Sequence, residues 1–181
     1  MTRGIVTITT AVAAIALTSP AFAQTLLLSG EVGLASGVEG GDPGTGSTTF
    51  RRARTRFEAG GDLRSDEDRV DAFALRAFAE IEPHVSVGGE LRYVRYIGQH
   101  FTGFAGFTGT LAPHTLFGGV VGVQGFIPLG KTLSLLIEPS FSALPFGSDL
   151  PTDQPLLWGL LCVGIRGDFL AASAANEEGP K

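Results

Sequence analysis

The chain has 181 residues, of which 44% are hydrophobic and only 17% charged, with a formal net charge of -5 at neutral pH. That balance is too apolar for a disordered chain and too acidic for a nucleic-acid surface. Glycine is abundant, at 26 residues without a Gly-X-Y period, which excludes collagen and disfavours a mostly helical protein. The single cysteine, Cys162, excludes an intramolecular disulfide and reads as a small lumen or core residue.

Residues 1–23 read as a cleaved secretory signal peptide. Arg3 supplies the positive charge, Ile5 to Thr18 the apolar stretch, and Ala21-Phe22-Ala23 the small-x-small cleavage site before Gln24. No later run approaches the ~20 apolar residues a membrane helix needs, so any membrane crossing falls to strands.

Beyond Gln24 the chain shows period-two alternation in segments of about a dozen residues, divided by turn chemistry. Eight segments emerge: Thr25–Ser36, Thr48–Gly61, Arg69–Ile81, Val85–Ile97, Phe101–Leu111, Thr115–Ile127, Thr132–Phe141 and Pro155–Phe169. The fifth also suits a long loop, which would leave seven strands. Each segment has two chemically distinct faces. The second sets Arg52, Arg54, Arg56 and Glu58 against Ala53, Thr55, Phe57 and Ala59. The third sets Arg76 and Glu80 against Phe73, Leu75, Ala77 and Ile81. The fourth sets Ser86, Glu90 and Arg92 against Val85, Val87, Leu91 and Tyr93. The seventh opposes Ser134, Glu138 and Ser140 to Leu133, Leu135 and Ile137. The eighth opposes Arg166 and Asp168 to Leu161, Val163, Ile165 and Phe169.

Alternation alone leaves open whether the apolar face points inward, as in a soluble lipocalin-like barrel, or outward against lipid. Three features favour lipid. Lys131 and Lys181 are the only lysines, too few for a solvated exterior. Gly88, Gly106, Gly118 and Gly122 on the polar face suit a cramped lumen. The polar-face charges also balance: Glu31, Glu58, Glu80, Glu90, Glu138 and Asp168 against Arg52, Arg54, Arg56, Arg76, Arg92 and Arg166. Charges enclosed in a narrow barrel must be paired, so these twelve are the candidate site, an ion-pair network filling the lumen.

An even strand count puts both ends of the barrel on the periplasmic side. The long divisions Gly37–Ser47 and Ser142–Gln154 then face outside, and the Pro128–Lys131 turn faces in. Phe57, Phe73, Tyr93, Phe101 and Phe169 are expected to form an aromatic girdle at the inner interface. Arg51, Asp71 and Arg95 fall near segment ends, where charges can snorkel. Pro139 removes a ladder hydrogen bond from the seventh strand, where a bulge is expected.

In this pattern the stretch from Thr25 to Phe169 resembles the small eight-stranded outer-membrane barrels of the OmpA/OmpX type. Leu160–Phe169, alternating and ending on an aromatic, looks like the assembly signal of that class, although Leu170–Lys181 continues beyond it as an Ala-rich acidic tail. The resemblance implies an all-β, eight-stranded antiparallel up-and-down transmembrane barrel over residues 24–169. It also implies a monomer whose partners are outer-membrane lipid and, during biogenesis, the barrel-assembly machinery. Residues 170–181 are expected to be a disordered periplasmic tail.

Nothing in the sequence implies a cofactor, a metal site, a catalytic group or nucleic-acid binding. His84 and His114, each after a proline, read as turn chemistry; a lipid-modifying hydrolase would need such residues at a barrel rim. The Arg51–Arg56 run reads as ion pairing inside the barrel, with an anion-selective small pore as the other reading. The expectation is therefore a structural outer-membrane barrel of a Gram-negative bacterium. The alternatives are a soluble barrel binding an apolar ligand, a small pore and a lipid-modifying enzyme.

Overall fold

Strict alternation over long segments builds strands and nothing else. The structure, a computed structural model, describes residues 26–41, 49–52, 55–65, 70–81, 85–112, 115–148 and 155–170. The expected signal peptide, residues 171–181 of the expected tail, Arg54, His84 and His114 lie outside the described residues. The strands are β1 (Leu26–Gly41), β2 (Thr49–Arg52), β3 (Arg56–Ser65), β4 (Asp71–Glu80) and β5 (Ser86–Ile97), then β6 (Phe101–Ala112), β7 (Leu116–Pro128), β8 (Leu133–Gly147) and β9 (Leu156–Leu170).

From β3 onward each strand pairs antiparallel with the next, and β9 returns to β1 in register from Leu27↔Leu170 to Gly40↔Leu157. β1 pairs with β3 along Leu26–Ala35, while its far end, Val38–Gly41, pairs with the short β2. The result is a closed barrel of eight long strands, with β2 extending the wall beside β1. The expected second segment is thus split into β2 and β3. Phe101–Ala112 is a full strand paired on both sides, which settles eight strands over seven. The long strands run 10 to 16 residues, enough for the ~9–11 that a tilted strand needs to cross a bilayer.

Two ends are defined by the connections. Leu26, Leu170 and the turns 98–100 and 129–132 share one, here the terminal end. The tips of β1, β2, β8 and the start of β9 share the other, the loop end. Outward positions carry Leu, Val, Ile and Phe; Phe73 is 68% exposed and Phe107 75%. In water each such side chain would forgo about 1.5–3 kcal/mol of burial, so this belt is built for hydrocarbon. The inward face holds Arg, Glu, Asp, Ser and Thr, the reverse of a soluble barrel with an apolar cavity.

Three expectations need correction. Phe57 does not join the terminal-end girdle of Phe73, Tyr93, Phe101 and Phe169. It pairs with Ala79 near the opposite end, because β3 runs away from the loop end after starting at Arg56. Pro139 causes no bulge: β7–β8 pairing lapses there and resumes in the same register, from Gly122↔Ser140 to Gly125↔Ile137. A gap in the ladder accommodates the missing N–H without an inserted residue. The register shifts lie at Val87/Gly88 and Phe117/Gly119 instead. Finally, the dividers are shorter than expected: β3 continues to Ser65 and β8 to Gly147, which brings Asp62 and Arg64 onto strand positions.

Candidate functional site

The lumen is layered. At the loop end Leu116, Leu144, Trp158 and Leu160 pack into an apolar layer with Leu156. A second apolar patch, Ala72, Ala74, Val94, Phe104 and Val120, lines the β4–β7 wall towards the terminal end. Charges fill the space between and beside these patches.

Arg56 and Glu58 stand two residues apart on β3, hence on the same face, and Arg56 Nε donates to Glu58 Oε1 at 2.5 Å. Arg56 Nη2 reaches Glu90 Oε1 on β5 at 2.9 Å. Glu90 also accepts from Arg92 Nε at 2.6 Å. Arg92 Nη1 crosses the lumen to Glu138 Oε1 on β8 at 2.9 Å. Glu138 Oε2 lies 2.7 Å from Arg76 Nη2, and Arg76 Nη1 donates to Glu58 Oε2 at 3.0 Å. The circuit closes. Arg56, Glu58, Arg76, Glu138, Arg92 and Glu90 form a ring of alternating charges in which every carboxylate lies between two guanidinium groups.

Glu31 on β1 pairs with Arg76 and ties the ring to a fifth strand. Thr108 donates to Glu90 at 3.2 Å and Gln124 to Glu138 at 2.8 Å, while Thr102 donates to Gln124 at 2.7 Å. Two phenyl rings complete the packing: Arg56 stacks over Phe78 at 4.5 Å and Arg92 over Phe104 at 4.0 Å. Each phenyl lies across from a glycine, and a Cβ at Gly88 or Gly122 would come within 2.4 Å of it. Only glycine leaves room there for an arginine-bearing phenyl.

A smaller cluster lies at the terminal end. Arg166 Nη2 is 2.9 Å from Asp62 Oδ2, and Arg166 Nε donates to Asp168 Oδ1 at 3.1 Å. Arg166 Nη2 also donates to Ser29 Oγ at 2.6 Å and to the Tyr96 hydroxyl at 2.5 Å. The Ser29 hydroxyl donates to Asp168 at 2.7 Å, and Tyr96 donates to Asp62 at 2.6 Å.

Of the residues expected to form the network, Glu31, Arg56, Glu58, Arg76, Glu90, Arg92 and Glu138 meet in the central cluster, and Arg166 and Asp168 in the terminal one. Glu80 is buried but apart from the ring, accepting from Ser86. Arg52 has its backbone in β2, and its side chain, like Arg54, lies outside the described residues. Sequence reasoning missed Asp62, Arg64, Tyr96 and Gln124. Asp62 and Arg64 keep the two-residue spacing from Glu58 and carried the signal, hidden by reading Asp62–Asp68 as a turn. Cys162 is a buried, free thiol facing the lumen.

No protein-family model and no curated protein matches the sequence. Among solved structures the fold is similar to Ail, the attachment invasion locus protein of Yersinia pestis, with a TM-score of 0.50 and 12% identity over 79% of this chain and 98% of Ail. Neisserial surface protein A also aligns, at a TM-score of 0.42 and 11% identity over 82% of this chain and 98% of the other. The chain thus has the closed, eight-stranded antiparallel barrel fold of the small outer-membrane proteins, with a buried, ion-paired interior.

Proposed function

We propose that the protein is a monomeric integral outer-membrane barrel of a Gram-negative bacterium with a structural, non-catalytic role in the envelope. It is exported by a signal peptide cut before Gln24, handed to the assembly machinery through the alternating end of β9, and inserted with its loop end outside. The plugged lumen does not conduct, and the loop-end hairpins are the parts available for contacts at the cell surface.

One observation carries this reading: the closed ring of three arginines and three glutamates links β3, β4 and β5 to β8 across the lumen. Eight strands leave an interior just wide enough for side chains to fill, and here they fill it. An ion passing through would have to separate paired charges whose side chains are 5% exposed or less.

Planar-bilayer recording of the reconstituted protein tests it, alongside membrane fractionation and heat-modifiable gel mobility. The expected result is outer-membrane partition with negligible conductance. Steady wild-type channels whose ion selectivity shifts in Arg76→Ala, with little loss of stability, would make this a small pore instead.

A further inference from the structure

Below the ring, at the terminal end, the lumen is not filled. A cavity of about 340 Å³ opens there, lined by Arg64, Tyr96, Gln99, Ser134, Arg166 and Asp168 among others. That volume is within the range of small-molecule sites. Gly98, at φ +75°, makes the tight β5–β6 turn that sets Gln99 on its rim.

The charges around this cavity are unequally used. Arg166 is satisfied by two carboxylates, Asp62 and Asp168, and two hydroxyls. Arg64 stacks over the Tyr96 ring at 4.5 Å, and the Arg166 guanidinium sits 5.6 Å from the same ring. Yet Arg64 makes no ion pair with any carboxylate among the described residues, and its buried Nε has no hydrogen-bond partner. Stacking on Tyr96 therefore holds the Arg64 guanidinium flat and oriented, with its Nε–H unpaired, the geometry that suits an oxyanion. Opposite in sign, the Asp168 side chain is 46% exposed, and both hydrogen bonds it accepts fall on Oδ1.

Among the described residues around the cavity, Arg64 and Arg166 balance Asp62 and Asp168. A bare anion on Arg64 would tip that balance and leave the open carboxylate oxygen of Asp168 unanswered, whereas a ligand carrying its own ammonium would meet both groups. We propose that the terminal mouth of the barrel is a binding pocket for a small zwitterion, whose phosphate or carboxylate is taken by Arg64 and whose primary ammonium is taken by Asp168. The same chemistry occurs in free solutes and in the headgroup of an ethanolamine phospholipid.

The full chain, folded in nonionic detergent, should be titrated calorimetrically with glycerophosphoethanolamine, whose phosphodiester and ammonium cancel, and with inorganic phosphate and ethanolamine. Glycerophosphoethanolamine should bind at least tenfold more tightly than either phosphate or ethanolamine. Arg64→Gln should weaken it at least tenfold; because Arg64 holds no ion pair among the described residues, that variant should keep wild-type heat-modifiable mobility. Asp168→Asn should weaken glycerophosphoethanolamine comparably and leave phosphate unchanged. In phosphatidylcholine vesicles, loss of soluble glycerophosphoethanolamine binding when phosphatidylethanolamine is added assigns the headgroup as ligand, and unchanged binding assigns the free solute. Absence of saturable binding, affinity unchanged in Arg64→Gln, or phosphate binding as tight as glycerophosphoethanolamine overturns the proposal. None of these outcomes bears on whether the lumen conducts, so the two readings fail separately.

Discussion

The central ring and the terminal cluster use the same residue types to different ends. In the ring every carboxylate bridges two guanidinium groups, and Glu90 and Glu138 are 1% exposed. At the terminal end a single arginine is shared among two aspartates, a serine and a tyrosine, and one aspartate side chain is nearly half open to the cavity. A charge enclosed with no solvent has only its partners, so each partner is indispensable. A charge beside a wet cavity can fall back on water, so its partners are replaceable and its spare valence is available to a ligand.

Breaking the ring should give the largest effect. Glu138→Ala strands both Arg76 and Arg92 without their shared carboxylate and should destabilise the barrel by about 3–5 kcal/mol, read from urea unfolding in lipid vesicles. A charge forced onto the opposite face sets the scale for comparison. Val163 is outward at mid-strand on β9, paired with Leu34 and Ile137, and Val163→Arg should cost about 2–4 kcal/mol at the bilayer midplane. The same unfolding assay should show Ser140→Arg, on the partly buried lumen side nearer the loop end, as the milder change.

Smaller effects should come from the terminal end. Asp168→Asn leaves Arg166 with Asp62, Ser29 and Tyr96, so its cost should stay below about 1 kcal/mol once solvent screening is counted. Raising the salt concentration should shrink that cost further while leaving the Glu138→Ala effect intact, because buried pairs are poorly screened. Smallest of all, Arg95→Ala on the exterior should leave the unfolding midpoint where it was. Its contact with Asp71 is 3.8 Å long with a side chain 63% exposed, and Asp71 keeps the hydrogen bond from Tyr93. A ring variant that proved as mild as Asp168→Asn would show that water reaches the centre of the lumen and erase the distinction.

Much of this is legible along the chain. Glu90, Arg92, Glu138 and Arg166 declare their face by standing two residues from other polar groups, and Arg76 by standing four from Glu80, so the strand repeat carries that information locally. The aromatic belt is only partly legible. The places of Phe73, Tyr93, Phe101 and Phe169 come from strand direction, whereas Phe57 requires knowing that β3 starts at the loop end. Pro139 misleads because a missing N–H has two structural remedies, an inserted residue or a gap in the ladder, and local sequence does not choose between them. Asp62 and Arg64 are lost to a turn assignment, since an acidic, glycine-flanked stretch looks alike in a turn and at a strand end facing a polar lumen.

The sequence by itself determined the inside and the outside of this protein, because side chains alternate across a strand whatever the strand pairs with. The choice of eight long strands over seven waited for the pairing of β6 on both sides. Only the tertiary structure decided which charges meet. The ring joins β3, β4 and β5 to β8, residues as far apart as Arg92 and Glu138, and that encounter depends on how the closed sheet tilts and staggers its strands. The open mouth beside Arg64 was decided at the same level. A cavity is what remains after side chains from six strands and a turn have packed, and no single strand records it.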